Sequence, residues 1–194
     1  LTNRHVVEAV NTIVVRNGLG EVRLVERVIL SEKADLAILV LNEPYPAAYS
    51  LSDESLIEPK AGEEIYVIGY PLSSILGRYN PSITEGIVSK ATGFGEEKGG
   101  FQLTAKVNPG NSGGPIVNSQ GQLVGVTVGR LDKQQVMEEE GFIPADVNLG
   151  IPASTIRDFL EMPEEETIKT AAEYDATEIY EYMRAAVVLV VGQK

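Results

Sequence analysis

Three residues of this chain have the types and the order that nucleophilic catalysis needs. Ser112 lies in Val107-Asn108-Pro109-Gly110-Asn111-Ser112-Gly113-Gly114-Pro115, with glycine two positions before it and two glycines after it. Glycine accepts positive φ and lets another segment or a ligand approach the main chain closely. A serine at the tip of such a turn presents its hydroxyl. The amides of Gly110 and Ser112, with Asn111 between them, can point at one oxygen, as an oxyanion hole requires. Taken alone, the stretch reads as a turn between two strands. His5, the chain's only histidine, and Asp35, at the head of the apolar run Leu36–Leu41, change that reading. A serine hydroxyl needs a base to become a nucleophile, and the imidazole needs a carboxylate to fix its tautomer and stabilise its charge.

The elements around these residues are short and strand-like. Alternating or continuous apolar runs predict strands over Thr12–Val15, Leu19–Val25 continuing to Leu30, Ala34–Leu41, Glu64–Gly69, Ser82–Ala91, Phe101–Val107, Pro115–Asn118, Gln122–Gly129 and Asn148–Pro152. Asn17-Gly18 marks a hairpin turn. Ala34–Leu41 is apolar enough for a strand buried on both faces. His5–Ala9 reads as a helical turn, Leu72–Pro81 as a loop and Leu131–Val147 as an acidic inserted loop. Thr155–Glu161 reads as a helix capped by Ser154 and closed by Pro163. Many short strands separated by turn signals point to antiparallel barrels. The sequence Gly110-Asn111-Ser112-Gly113-Gly114 also fits the nucleophile elbow of α/β-hydrolases. That fold places its histidine after the serine, and no histidine follows Ser112.

The blocks Thr2-Asn3-Arg4-His5-Val6-Val7, Ala34-Asp35-Leu36-Ala37 and Asn108 to Pro115 resemble the trypsin-like serine proteases, specifically the HtrA/Deg type. The resemblance extends through Thr84–Ser89, Gly121–Val126 and Asn148–Pro152, and so covers most of residues 1–160. It implies an all-β fold of two antiparallel six-stranded β-barrels. The first, about 1–46, is incomplete at its N-terminal side; the second spans about 63–152, followed by the closing helix 155–161. The resemblance also implies His5 as base, Asp35 as its partner and Ser112 as nucleophile. The main chain of Thr127, Val128 and Gly129 would pair with an extended substrate. Lys106, six residues before the serine, would stand at the base of the side-chain pocket and favour acidic substrates, or else point to solvent. The implied activity is that of a serine endopeptidase on unfolded or exposed protein segments, without a cofactor. The alternative is a peptide-binding or chaperone-like module on the same fold.

Composition narrows the partners. A formal charge of −12 disfavours nucleic acid and anionic membrane surfaces, which attract Lys and Arg. No apolar run reaches the ~20 residues a membrane span needs. The absence of cysteine excludes a disulfide framework, and a single histidine makes zinc chemistry a poor fit. The family resemblance suggests a periplasmic, envelope or secreted setting and a trimer-like homo-oligomer. Residues 161–194 are too few for a PDZ domain. They read as an acidic amphipathic helix or two, with an apolar stripe of Ile168, Ala171, Ala172, Ile179, Tyr182 and Met183, and then the β-prone Val187–Val191. A helix followed by a valine-rich strand resembles the opening of a protease domain of this type. Permutation, excision from a tandem array or a changed residue order would each place that strand in the first barrel, of this chain or a neighbour. Otherwise the helix and strand serve oligomer contacts.

Overall fold

The computed structural model describes residues 1–52, 55–130, 148–162 and 172–193. The acidic stretch 131–147 and the tail positions Ile168 and Ala171 lie outside the described residues. The order of elements is α1 (Arg4–Val7), β1 (Thr12–Asn17), β2 (Val22–Leu30), β3 (Ala37–Leu41), β4 (Glu64–Gly69), α2 (Ser73–Leu76), β5 (Ser82–Lys90), β6 (Phe101–Leu103), β7 (Pro115–Asn118), β8 (Leu123–Arg130), β9 (Asn148–Pro152), α3 (Ala153–Phe159), α4 (Ala176–Met183) and β10 (Val188–Gln193). The strands divide into a closed barrel, β4-β5-β6-β9-β8-β7, and a four-stranded sheet, β10-β1-β2-β3. The first unit is therefore an open sheet.

The closed barrel is built on strands with two apolar faces. In β4, Ile65 and Val67 point into the barrel with Val88, Phe101, Leu103, Ile116 and Val124. The alternate residues Tyr66 and Ile68 join a second core with Leu36, Leu56, Leu123, Val126, Ile179 and Met183. Period-two alternation thus serves two cores from one strand. Phe101 fills the barrel centre and is fully buried. Its ring lies where side chains at Gly125 and Gly150 would otherwise stand.

The open sheet differs from its sequence pattern in two places. The β1–β2 turn is one step later than Asn17-Gly18 suggests. Asn17 ends β1, and its Oδ1 accepts from the amides of Leu19 (3.1 Å) and Glu21 (2.9 Å), so 18–21 form the loop. β3 is not enclosed on both faces; Ala37 is buried but Ile38–Leu41 are only partly so. The reason is position, because β3 is the last full strand on its side. Beyond it, Thr2 makes a two-bond antiparallel bridge to Ala37.

The C-terminal segment straps the two units together. Asp175 caps α4 by accepting from the amides of Thr177 and Glu178, while Glu178 returns a bond to the Asp175 amide. Ile179 and Met183, four apart, are buried toward β4 and β5, whereas Tyr182 faces solvent and leaves the expected stripe. β10 then pairs antiparallel with β1, from Asn17 opposite Val188 to Thr12 opposite Gln193. α3 has the length expected of 155–161 but starts two residues earlier, after Pro152, so Ser154 lies inside the helix and does not cap it.

Phe101→Ala should lower the unfolding free energy by about 3–5 kcal/mol, because it empties a packed core. Urea denaturation followed by far-UV circular dichroism measures it.

Candidate active site

Asp35 is held ready before it meets His5. Ser31 Oγ accepts from the amides of Lys33 and Ala34, and the Ser31 amide donates to Leu36 O, which together form a tight bend. Asn3 Nδ2 donates to the Asp35 carbonyl at 2.9 Å, and Arg4 reaches the Ser31 carbonyl at 3.1 Å. Both Asp35 carboxylate oxygens are then used by one residue. Oδ1 accepts from the His5 amide at 2.9 Å, and Oδ2 stands 2.6 Å from His5 Nδ1. A carboxylate only accepts, so in this contact Nδ1 carries a proton and donates it. The pair is partly open to solvent, with side-chain exposures of 48% for His5 and 31% for Asp35.

Ser112 belongs to the other unit. Its turn is pinned by bonds from Asn111 N to Asn108 O (3.0 Å) and from Gly114 N to Asn111 O (2.9 Å). It is fastened to β8 by a reciprocal pair, Gly113 N to Thr127 O and Thr127 N to Gly114 O, each 2.9 Å. Gly110 has φ +101° and Gly113 φ +80°. A Cβ at Gly110 would collide with the Tyr70 carbonyl, and one at Gly113 with Thr2 Oγ1, at 2.9 Å from the Asn3 amide. Thr2 and Asn3 immediately precede His5, so Gly113 is where the histidine-bearing segment rests on the serine turn. Ser112 and His5 line one cavity of about 500 Å³, together with Tyr70, Val126 and Met183. Among the described residues the Ser112 hydroxyl makes no hydrogen bond to His5, and the amides of Gly110 and Ser112 have no acceptor.

A trypsin-like peptidase domain matches residues 1–126. The chain belongs to the trypsin-like peptidase family. It is similar to the uncharacterized protein y4bJ of Sinorhizobium fredii, 34% identical over 161 residues that cover 82% of this chain and 25% of that protein. It is similar also to the serine protease Do-like HtrB of Bacillus subtilis, 32% identical over 156 residues, covering 75% of this chain and 33% of the relative. A crystal structure of the serine endoprotease from Yersinia pestis superposes with a TM-score of 0.59 at 27% identity, covering 82% of this chain and 51% of that one. The chain thus spans a quarter to a third of the length of the two relatives. The HtrA/Deg resemblance and the trypsin-like fold expected from the sequence both hold.

In this trypsin-like domain the other expected site residues separate. Asn111 donates its amide to Asn108 O inside the turn, unlike the amides of its neighbours Gly110 and Ser112. Thr127 is fully buried, and its main chain is committed to Gly113 and Gly114. These bonds fasten the serine turn to β8. A bulge between Thr127 and Gly129 drops Val128 from the register with β9, while Gly129 pairs with Leu149. Lys106 is exposed between buried Ala105 and Val107, and it does not line the Ser112 cavity. Of the two placements expected for Lys106, its exposure accords with the one toward solvent. Thr2 and Asn3, named in the sequence only as part of the block around His5, also meet the serine turn and the Asp35 carbonyl.

Gly113→Ala should cost stability, through both its positive φ and the clash with Thr2. It should also lower reactivity at Ser112 by about 100-fold by moving His5 away. Circular dichroism and active-site titration separate the two effects. Lys106→Ala should leave the ratio of cleavage rates for acidic and aliphatic peptides unchanged, as read in a paired fluorogenic assay.

Proposed function

We propose that this chain is the protease domain of an HtrA-type serine endopeptidase and cleaves exposed or unfolded polypeptide through His5, Asp35 and Ser112. The observation that supports this most is the double contact of Asp35 with His5, a residue that lines the same cavity as Ser112. In this reading residues 1–160 supply the chemistry, and β10, from the 161–194 segment, serves as a strand of the first unit.

Ser112 Oγ attacks the scissile carbonyl carbon while His5 Nε2 takes its proton. Asp35 stabilises the resulting imidazolium without accepting the proton. The negative charge on the former carbonyl oxygen falls to the unpaired amides of Gly110 and Ser112. Collapse of the tetrahedral intermediate breaks the C–N bond, and the amine leaves with the proton from His5. Water then hydrolyses the acyl-serine by the same route in reverse. The base and nucleophile need to close only to hydrogen-bond distance, and such contacts commonly tighten once substrate is bound.

One observation favours a second reading. His5 and Asp35 stand on a sheet of four strands, and Ser112 makes no bond to His5. A domain fixed in that state would bind extended peptides without cutting them.

Labelling with a fluorophosphonate at neutral pH decides between the two. Such a probe reacts when a base activates the serine and an oxyanion hole receives the phosphonyl oxygen. Stoichiometric labelling mapped to Ser112, together with degradation of a denatured protein that Ser112→Ala abolishes, supports the enzyme. Folded protein that takes up no label supports the binding module.

A further inference from the structure

A second pocket, of about 600 Å³, lies away from the serine turn, where α4 meets the β7–β8 turn and the chain around Ser50. Its walls are aromatic. Tyr49 and Tyr182 meet edge to face with ring centroids 6.0 Å apart, and Tyr174 stands close by at the Gly121 turn. Tyr182 and Tyr174 are 60% and 44% exposed, a poor use of large rings unless something covers them. Gly121 has φ +73°, and a Cβ on it would touch Ile179, Tyr174 and Tyr182, so the absent side chain keeps the floor open.

The charge around the pocket has one sign. Glu178 lines it, and Glu173 is at its edge, 3.5 Å from Gln120. Only Oε2 of Glu178 is used by the helix cap; Oε1 makes no hydrogen bond among the described residues. No lysine or arginine lines the pocket among the described residues, in a chain whose formal charge is −12. Aromatic rings beside an unneutralised carboxylate attract an organic cation, through ring quadrupole and charge together.

We propose that this pocket is a docking site for a cationic side chain, arginine or lysine, carried by an extended segment of a partner polypeptide. The pocket is much larger than one guanidinium or ammonium group, and Ser50, Ser52 and Gln120 can serve the main chain that bears it. The site is separate from the chemistry of Ser112, yet Tyr49 lines both cavities, so an occupant touches the wall of the active-site cavity.

The test uses the full chain carrying Ser112→Ala, so that no peptide is cut and binding is read whatever the catalytic activity. The probes are a blocked Gly-Arg-Gly-Arg-Gly peptide, its counterpart with citrulline for arginine, and choline chloride. With ring-labelled tyrosine, the arginine peptide should shift the Tyr174 and Tyr182 signals saturably. By calorimetry it should bind at least about fivefold more tightly than the citrulline peptide. Tyr182→Leu and Glu178→Gln should each weaken it by about threefold or more; glutamine preserves the helix cap, so the second change isolates charge. Equal affinity for the two peptides, no binding, or binding unchanged in both variants overturns the proposal. Saturation by choline without peptide binding overturns the polypeptide as occupant in favour of a free cation.

Discussion

The structure depends on how closely the Thr2–Asn3 main chain can approach Gly113. Ser112 is carried by a closed barrel, while His5 and Asp35 stand in segments that flank an open sheet. Their relation is set where the two units touch. A side chain at Gly113 would occupy the space of Thr2 Oγ1 and crowd the Asn3 amide. Thr2 is in turn bonded to Ala37 through both its amide and its carbonyl, and Asn3 to the Asp35 carbonyl. One contact therefore fixes His5, Asp35 and Ser112 relative to each other. The glycine there is required by space as well as by its φ.

The serine turn shows how main-chain bonding leaves reactive donors behind. Between Gly110 and Gly114, the amides of Asn111, Gly113 and Gly114 are consumed by Asn108, Thr127 and Asn111. Those of Gly110 and Ser112 are not. Buried amides without partners are costly, and these two keep their capacity because the turn stands at a cavity wall. Thr127 is central to the arrangement. Its two bonds fasten the turn to β8, which is itself locked into the barrel by pairing with β7 and β9.

What could be read from the sequence follows the range of the forces involved. Strand alternation is local, so most barrel strands were legible. The pairing of His5 with Asp35 was legible because the residue types and their chain order are restrictive. Features that depend on a neighbour were not. Burial of β3 depends on what flanks it, and the sequence carries no record of an open edge. Lys106 was ambiguous because the strand expected to run to Val107 ends at Leu103, so no strand phase fixes its side. The Tyr182 error has a similar origin. Helical periodicity groups it with Ile179 and Met183, but burial is decided by which face meets β4 and β5.

The division of the site between unlike units has a consequence for its dynamics. The closed barrel has no free edge, and its strands pair on both sides. The sheet bearing His5 and Asp35 has two ends, one at β10 and one where only the Thr2 bridge extends beyond β3. Elements with fewer partners open locally at lower free energy than the cores they join. Ser112 and its two free amides are thus the stable half of the site, and the His5–Asp35 pair the yielding half. The strap works against that difference. α4 is anchored in the interior core by Ile179 and Met183, and β10 reaches from it to close six register positions with β1. Anything that holds α4 in place stabilises β10, and through β1 and β2 the strand that follows Asp35. The placement of His5 and Asp35 is in this way linked to α4 through the first sheet.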